Sequence, residues 1–92
     1  MANPVLWGPR VWRANFDLAA RVDRLVAEQD ASALEMAKDM QLLLTVESFV
    51  YPCDDCSYFA IEYVVACPVP KTHFVDYLYD MKACIDAKIK TV

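Results

Sequence analysis

The chain has 92 residues, 58% of them hydrophobic and 24% charged, which fits one compact soluble domain over residues 1–92. Its formal net charge of -4 excludes the clustered basic surface that nucleic-acid binding needs. No apolar run approaches the roughly 18 to 20 residues that cross a bilayer, and the first residues lack the basic and apolar regions of a signal peptide. We therefore expect a protein without a membrane span that stays in the compartment where it is made.

Proline and glycine positions predict the first two helices. Glycine occurs once, at Gly8, and the five prolines fall at positions 4, 9, 52, 68 and 70. In the long segment between positions 9 and 52, Ser32 followed by Glu35 has the spacing of a capping box, in which a new helix starts. This pattern predicts a first helix at about 10–28 and a second at about 32–50.

The later prolines delimit two further helices. Pro52 suits the first position of a third helix, because its missing N–H would be unpaired there in any case. That helix is expected to run to about Ala66, before Pro68 and Pro70 break the chain. Thr72 is the predicted N-cap of a fourth helix.

Apolar residues recur at steps of three and four along the predicted helices. In the first helix they are Val11, Trp12, Phe16, Leu18, Ala19, Ala20, Val22 and Leu25. In the second they form a broader face that comprises Leu34, Met36, Ala37, Met40, Leu43, Leu44 and residues 46–50. In the fourth they are Phe74, Tyr77, Leu78, Met81, Ile85 and Ile89. The β-branched run at 63–65 has no second strand to pair with, so the predicted fold is all-α, a four-helix bundle.

The cysteines at 53 and 56 form a CxxC pair at the predicted start of the third helix. In a reducing compartment such a pair favours metal or redox chemistry over a structural disulfide. The first turn of a helix stabilises a thiolate at Cys53, and Cys56 lies one turn further on the same face. Asp54 and Asp55 oppose thiolate formation by their charge, so the net effect on the thiol pKa stays open.

The metal interpretation needs a second pair of ligands. Cys67 and Cys84 lack the spacing of a metal knuckle, and a bond between them within one chain is not expected, because helical rise separates them. Cys84 is predicted either to be a small buried residue of the fourth helix or to lie near the redox pair, and Cys67 to be inert. His73 is expected in the first turn of the fourth helix, and no Ser or Asp pattern assigns it a catalytic role. No metal site is predicted.

Two motifs together carry a family resemblance. Trp7-Gly8-Pro9-Arg10-Val11-Trp12 stands about forty residues before Tyr51-Pro52-Cys53-Asp54-Asp55-Cys56. This combination resembles the flavin-dependent sulfhydryl oxidases of the Erv/ALR type, especially the short forms of large cytoplasmic DNA viruses, over essentially the whole chain. The resemblance implies a four-helix cradle for FAD, and a location in the cytoplasm of an infected host cell or in the virion.

The resemblance also implies a reaction and its site. A thiol-containing protein or a redox shuttle protein exchanges with the outer Cys53, and the inner Cys56 passes two electrons to the flavin. Oxygen then reoxidises the flavin and gives hydrogen peroxide. Phe16 and Phe59 stand where the family usually has histidines, and Lys88 or Lys90 is expected to neutralise the pyrophosphate. The implied flavin contacts are Trp7, Gly8, Arg10, Trp12, Phe16, Phe59, Tyr77, Lys82, Asp86 and Lys88.

The sequence is also consistent with two other interpretations. The bundle could have lost flavin or turnover and act as a binding or scaffolding module, and a redox-silent zinc domain is a more distant alternative. The apolar faces of the first two helices exceed what two neighbouring helices need, so a homodimer is expected.

Overall fold

The computed structural model describes residues 4–51 and 54–90, and of residues 4–7 and 54 it describes the backbone alone. Within these ranges the protein consists of four α-helices and contains no strand, so the all-α class is confirmed. The helices are α1 (Pro4–Ala27), α2 (Ala33–Glu47), α3 (Asp54–Ala66) and α4 (Phe74–Lys90). None of the four is both long enough and apolar enough to traverse a membrane.

Helices α1 and α4 are the two central elements of the fold. They pack against each other, α2 packs against α1, and α3 packs against α4. Asp23, near the end of α1, contacts the start of α4, whereas Trp12, near the beginning of α1, lies beside Ile85 in the second half of α4. Helices α1 and α4 are therefore antiparallel, and Cys56, early in α3, lies at the same end of the molecule as Trp12 and Ile85.

The core follows the apolar pattern of α4 most closely. Five of its predicted positions are buried, namely Phe74, Tyr77, Leu78, Met81 and Ile85, whereas Ile89 is exposed. Helix α2 buries a narrower face than its sequence suggests, comprising Ala33, Ala37, Met40 and Leu44. The remaining apolar side chains of its second half, such as Leu43 and Val46, are exposed because α1 is the main neighbour of α2.

Two helix boundaries differ from the prediction. Helix α1 begins at Pro4 rather than at about residue 10 and continues through Gly8 and Pro9. Proline lacks the N–H that would donate to the carbonyl four residues earlier and its ring crowds that carbonyl, but Pro9 stands near the beginning of this 24-residue helix, where few residues precede it. Helix α2 ends at Glu47, because residues 48–50 form tight turns in which Val50 N donates to Glu47 O at 3.1 Å. The predicted helix start at Pro52 lies outside the described residues.

The predicted capping box at the start of α2 is wrong. Ser32 occupies the N-cap position, but its side chain accepts no hydrogen bond from the helix backbone. Its hydroxyl instead donates to Asp30 Oδ1 at 2.6 Å, and its backbone N–H donates to the same oxygen at 2.9 Å. The carboxylate of Asp30 is a stronger acceptor than a neutral group, and these two bonds lower the pKa of Asp30.

The predicted cap of α4 is also wrong. Thr72 contacts the Nδ1 atom of His73, and His73 precedes α4 with a φ of 61° rather than belonging to its first turn. The cap comes from another helix: Asp23 of α1 accepts hydrogen bonds from Phe74 N at 2.9 Å and from Val75 N at 3.0 Å. A carboxylate at this position satisfies two unpaired N–H groups and opposes the positive end of the helix dipole.

The Asp23→Ala variant is expected to lower the free energy of unfolding by about 1–2 kcal/mol, because two N–H groups of α4 lose their acceptor. Asp23→Asn keeps one acceptor oxygen and is expected to lose about half as much. Urea unfolding of both variants measures the effect, with the exposed Asp17→Ala on the same helix as the control. An Asp23→Ala midpoint equal to that of the wild type would contradict the interhelical cap.

Candidate functional site

A cavity of about 430 Å³ lies where the first half of α1, the start of α3 and the last turns of α4 come together. Its volume is in the range of about 300–1,000 Å³ that is typical of small-molecule sites. The lining is mostly apolar and consists of Gly8, Pro9, Val11, Trp12, Tyr51, Cys56, Lys82, Ile85, Asp86 and Ile89. The structure thus brings five of the predicted site residues together: Gly8, Trp12, Cys56, Lys82 and Asp86.

Gly8 provides open space in this wall. The residue is buried, yet apart from its chain neighbours and the backbone of its own helix no atom of the described residues lies within 4 Å of the position that a Cβ atom would take. A side chain at this position would extend into unfilled volume beside the cavity, whereas glycine leaves that volume to a ligand. A flat group can therefore approach the backbone of α1 closely at this point.

Trp12 supplies an aromatic wall with a cation above it. The Nζ atom of Lys82 lies 6.0 Å from the centre of the indole ring, and it forms an ion pair with Asp86 at 2.6 Å. Phe16 does not line the cavity but supports the indole from behind, with ring centroids 6.3 Å apart, and in turn contacts Tyr79 at 4.7 Å. The Asp86 carboxylate and the indole therefore hold the Lys82 ammonium at the rim of the cavity.

Cys56 lies in the opposite wall. Its side chain is 6% exposed and faces the same cavity as Trp12 and Gly8. Cys53, the predicted outer cysteine of the pair, lies outside the described residues, as does the side chain of Trp7. The thiol of Cys56 is therefore shielded from bulk water and borders the space that a ligand in the cavity would occupy.

The hydrogen-bonded pair of Asn15 and Glu47, next to Tyr51 of the cavity wall, was not predicted from the sequence. Asn15 is 3% exposed and donates from Nδ2 to Glu47 Oε2 at 2.9 Å. Burial raises the pKa of the Glu47 carboxyl, and the bond from Asn15 acts in the opposite direction. Burial also raises the pKa of Tyr51, and the charges of Glu47 and Cys56 raise it further. The sequence feature that indicates this pair is Asn15 itself, because it is a polar residue within the apolar pattern of the first helix.

Five predicted flavin contacts do not line the cavity, namely Arg10, Phe16, Phe59, Tyr77 and Lys88. Lys88 forms an ion pair with Glu62 and lies 5.8 Å from the ring centre of Phe59, outside the slot. Tyr77 lies near the start of α4, whereas the cavity lies near its end. The Tyr77 hydroxyl donates to Cys67 O at 2.6 Å and thus ties α4 to the end of α3.

The other two cysteines lie apart from the cavity. Cys67 and Cys84 are both exposed and unbonded, which agrees with the expectation that they do not pair within the chain. The expectation that Cys84 is a buried side chain of α4 is wrong, because Cys84 is exposed. Among residues 4–51 and 54–90, no three His, Cys, Asp or Glu side chains are grouped so that they could hold a metal ion.

The cavity thus combines a buried thiol, an indole face, a glycine that leaves open space and a lysine at the rim. Such a slot suits a flat, mainly apolar ligand, with the paired charges of Lys82 and Asp86 at the rim. Comparisons of this chain with protein-family models, with curated proteins and with solved structures found no match. What the site does must be inferred from its own residues.

Proposed function

We propose that this chain is an FAD-dependent thiol oxidase, in which Cys53 and Cys56 form the redox centre and the cavity receives the flavin. One observation carries the proposal: Gly8 and Trp12 of the first motif and Cys56 of the second line the same cavity, although more than forty residues separate them in sequence. The protein partner is a thiol-containing substrate or a redox shuttle protein, and the location in an infected cell or virion belongs to the same proposal.

The residues of the cavity fit the flat ring system of a flavin. Gly8 leaves open space, Trp12 offers an aromatic face, and the lining is mainly apolar. Lys82 lies at the rim as one partner of the Lys82–Asp86 ion pair, and the N–H groups of its ammonium that do not bond to Asp86 are donors for a phosphate oxygen or for a polar atom at the edge of the flavin ring. A bound flavin accepts two electrons from a thiol centre and passes them to oxygen.

The two cysteines divide the thiol chemistry between them. Cys53 meets the substrate: a substrate thiolate attacks its sulfur in the Cys53–Cys56 disulfide, and Cys56 leaves as a thiolate. The second substrate thiolate then displaces Cys53 from the mixed disulfide, which leaves the substrate oxidised and both enzyme cysteines reduced. Cys56 lies in the cavity wall, so the two electrons leave the centre from this sulfur. Overall, two thiols and one oxygen molecule give one disulfide and one hydrogen peroxide.

Purification tests this proposal directly. The protein is expressed with flavin supplied, and its visible absorbance and its oxygen consumption with a dithiol are measured. We expect a yellow protein with about one FAD per chain and dithiol-dependent oxygen consumption. A colourless preparation would overturn the proposal and leave the binding or scaffolding module as the better interpretation of the fold.

We further propose that the oxidase is a homodimer formed through α1 and α2. A second groove of about 520 Å³ runs between these helices and is lined by Leu18, Arg21, Val22, Leu25, Met36, Asp39, Met40 and Leu43. Leu18 is 45% exposed there. Arg21 and Asp39 carry opposite charges on this surface, and a two-fold dimer that joins the arginine of each copy to the aspartate of the other would form two equivalent ion pairs.

The Leu18→Asp variant is expected to be a monomer, because two carboxylates would be buried in the apolar groove without partners. Leu34→Asp is the matched control, since Leu34 is an exposed leucine of α2 that does not line the groove, and this variant is expected to remain dimeric. Light scattering gives the masses. A monomeric wild type would refute the dimer, as would a Leu18→Asp variant that keeps the mass of a dimer.

A further inference from the structure

Glu47 is a half-buried carboxylate that the proposed thiol chemistry does not yet use. It is the last residue of α2, and it accepts a hydrogen bond from the buried Asn15 of α1 at 2.9 Å. In the described part of the chain, no Lys or Arg forms an ion pair with it. Removing a carboxylate from water in this way costs free energy unless its charge is paired with another group or neutralised by a proton.

Tyr51 links Glu47 to the cavity. The two residues are four positions apart, and the bond from Val50 N to Glu47 O folds the chain between them into a tight turn. The hydroxyl of Ser57 donates to Tyr51 O at 3.3 Å and so ties this tyrosine to the start of α3. Tyr51 and Cys56 line the same cavity wall. The chain therefore passes from Glu47 to the cavity wall within four residues, and Tyr51 is close enough to Glu47 and to Cys56 for the charge of each to raise its pKa.

The electrostatics of these groups agree with this arrangement. The groups that face Glu47 are the neutral amide of Asn15 from α1 and Tyr51 from the connecting segment, and Cys56 from α3 faces Tyr51 in turn. Burial raises the pKa of Glu47, which makes its carboxylate a better proton acceptor than an exposed one. The pKa of Tyr51 is raised as well, so its hydroxyl keeps a proton and can relay one without ionising.

We propose that Glu47 is the proton acceptor of the dithiol centre and is reached from Cys56 by way of the Tyr51 hydroxyl. This inference rests on the proposed oxidase function. Closing the Cys53–Cys56 disulfide removes two electrons and two protons from the two thiols. The electrons and one proton go to the flavin, and the second proton goes to the Glu47 carboxylate, which returns it to water before the next turnover.

The first test needs no flavin and no turnover. In reduced, flavin-free protein, the rate of iodoacetamide alkylation at Cys56 is followed against pH by peptide mass spectrometry. The Glu47→Gln variant keeps an oxygen for Asn15 but removes a negative charge, so the midpoint of Cys56 alkylation is expected to fall by about half a pH unit or more. Glu62→Gln, at an exposed carboxylate of α3, is the control and is expected to leave the midpoint unchanged. A midpoint that Glu47→Gln leaves unchanged would overturn the inference.

The second test uses flavin-loaded protein. In the wild type, the rate of dithiol oxidation is expected to fall as the pH drops through the pKa of Glu47, because a protonated carboxyl accepts no proton. In Glu47→Gln this acidic limb is expected to disappear, and the rate at neutral pH to fall about 10-fold or more. Tyr51→Phe is expected to lower the rate similarly, and the double variant to be no slower than either single one. An acidic limb that persists in Glu47→Gln would overturn the inference, whereas protein that binds no flavin would instead refute the oxidase function.

Discussion

The Cys56→Ser variant is expected to bind flavin like the wild type and to lose dithiol-dependent oxygen consumption about 1,000-fold or more. Serine has nearly the shape of cysteine, so the cavity wall to which Cys56 contributes is preserved. Its hydroxyl, however, forms no disulfide and transfers no electrons. Oxygen electrode traces and flavin absorbance of the same preparation measure the two effects.

Cys84→Ser is the matched control for this experiment. Cys84 is exposed on α4 and does not line the cavity, so its replacement is expected to leave both flavin content and turnover at wild-type values. Comparison of the two variants thus shows whether turnover depends on the cavity thiol of Cys56 or on any cysteine of the chain. Unchanged turnover in Cys56→Ser would show that the redox centre is elsewhere in the chain.

The Gly8→Leu variant is expected to fold but to lose its flavin, because its affinity for flavin falls by at least about 100-fold. Apart from the chain neighbours of Gly8 and its own helix backbone, no atom of the described residues lies within 4 Å of a Cβ position at Gly8, so the backbone accepts a side chain there. A leucine side chain would then occupy the part of the cavity that the proposed cofactor needs. Flavin absorbance and circular dichroism of the purified variant measure flavin content and fold together.

Gly8→Ala is the control for the effect of size. A single methyl group fills little of the cavity, and alanine replaces glycine inside a helix, so we expect flavin to be retained and the free energy of unfolding to rise by up to about 1 kcal/mol. If Gly8→Leu retained one flavin per chain, the flavin would not occupy this cavity. A loss of flavin with an unchanged helix content is the result that the proposal requires.

Local patterns predicted the part of the fold that local chemistry determines. The stripe of α4 was found because its apolar residues recur at helical steps, and the end of α3 at Ala66 because the prolines at 68 and 70 follow it. The start of α1 was missed because Pro9 was treated as a break. A proline near the beginning of a long helix costs few hydrogen bonds, and the bonds that follow it outweigh that cost.

Interactions between distant residues could not be predicted in this way. The cap of α4 is Asp23, 51 positions before Phe74, and no local rule pairs the two residues. Ser32 and Thr72 have the right chemistry for caps, but nearer or stronger partners occupy their hydroxyls. The broad buried face expected for α2 would need two neighbouring helices to cover it, whereas α1 is the main neighbour of α2.

The same distinction applies to the candidate site. Gly8, Trp12 and Cys56 were identified because they belong to short motifs with a recognisable spacing. The hydrogen bond between Asn15 and Glu47 spans 32 positions, and only the packing of α1 against α2 brings the two side chains together. Tyr77 was an expected contact because of the family resemblance, but in α4 it lies near the end opposite the cavity.

An anaerobic titration of the flavin-loaded protein with a dithiol follows electrons from thiol to flavin without oxygen and so tests whether the thiol centre and the cofactor are coupled. We expect the flavin absorbance to bleach with a stoichiometry of about one dithiol per flavin, after the protein's own disulfide has been reduced, and to return when oxygen is admitted. Cys56→Ser is expected to stay yellow under the same conditions. Wild-type protein that holds flavin but stays oxidised in excess dithiol would show that Cys56 does not deliver electrons to the flavin.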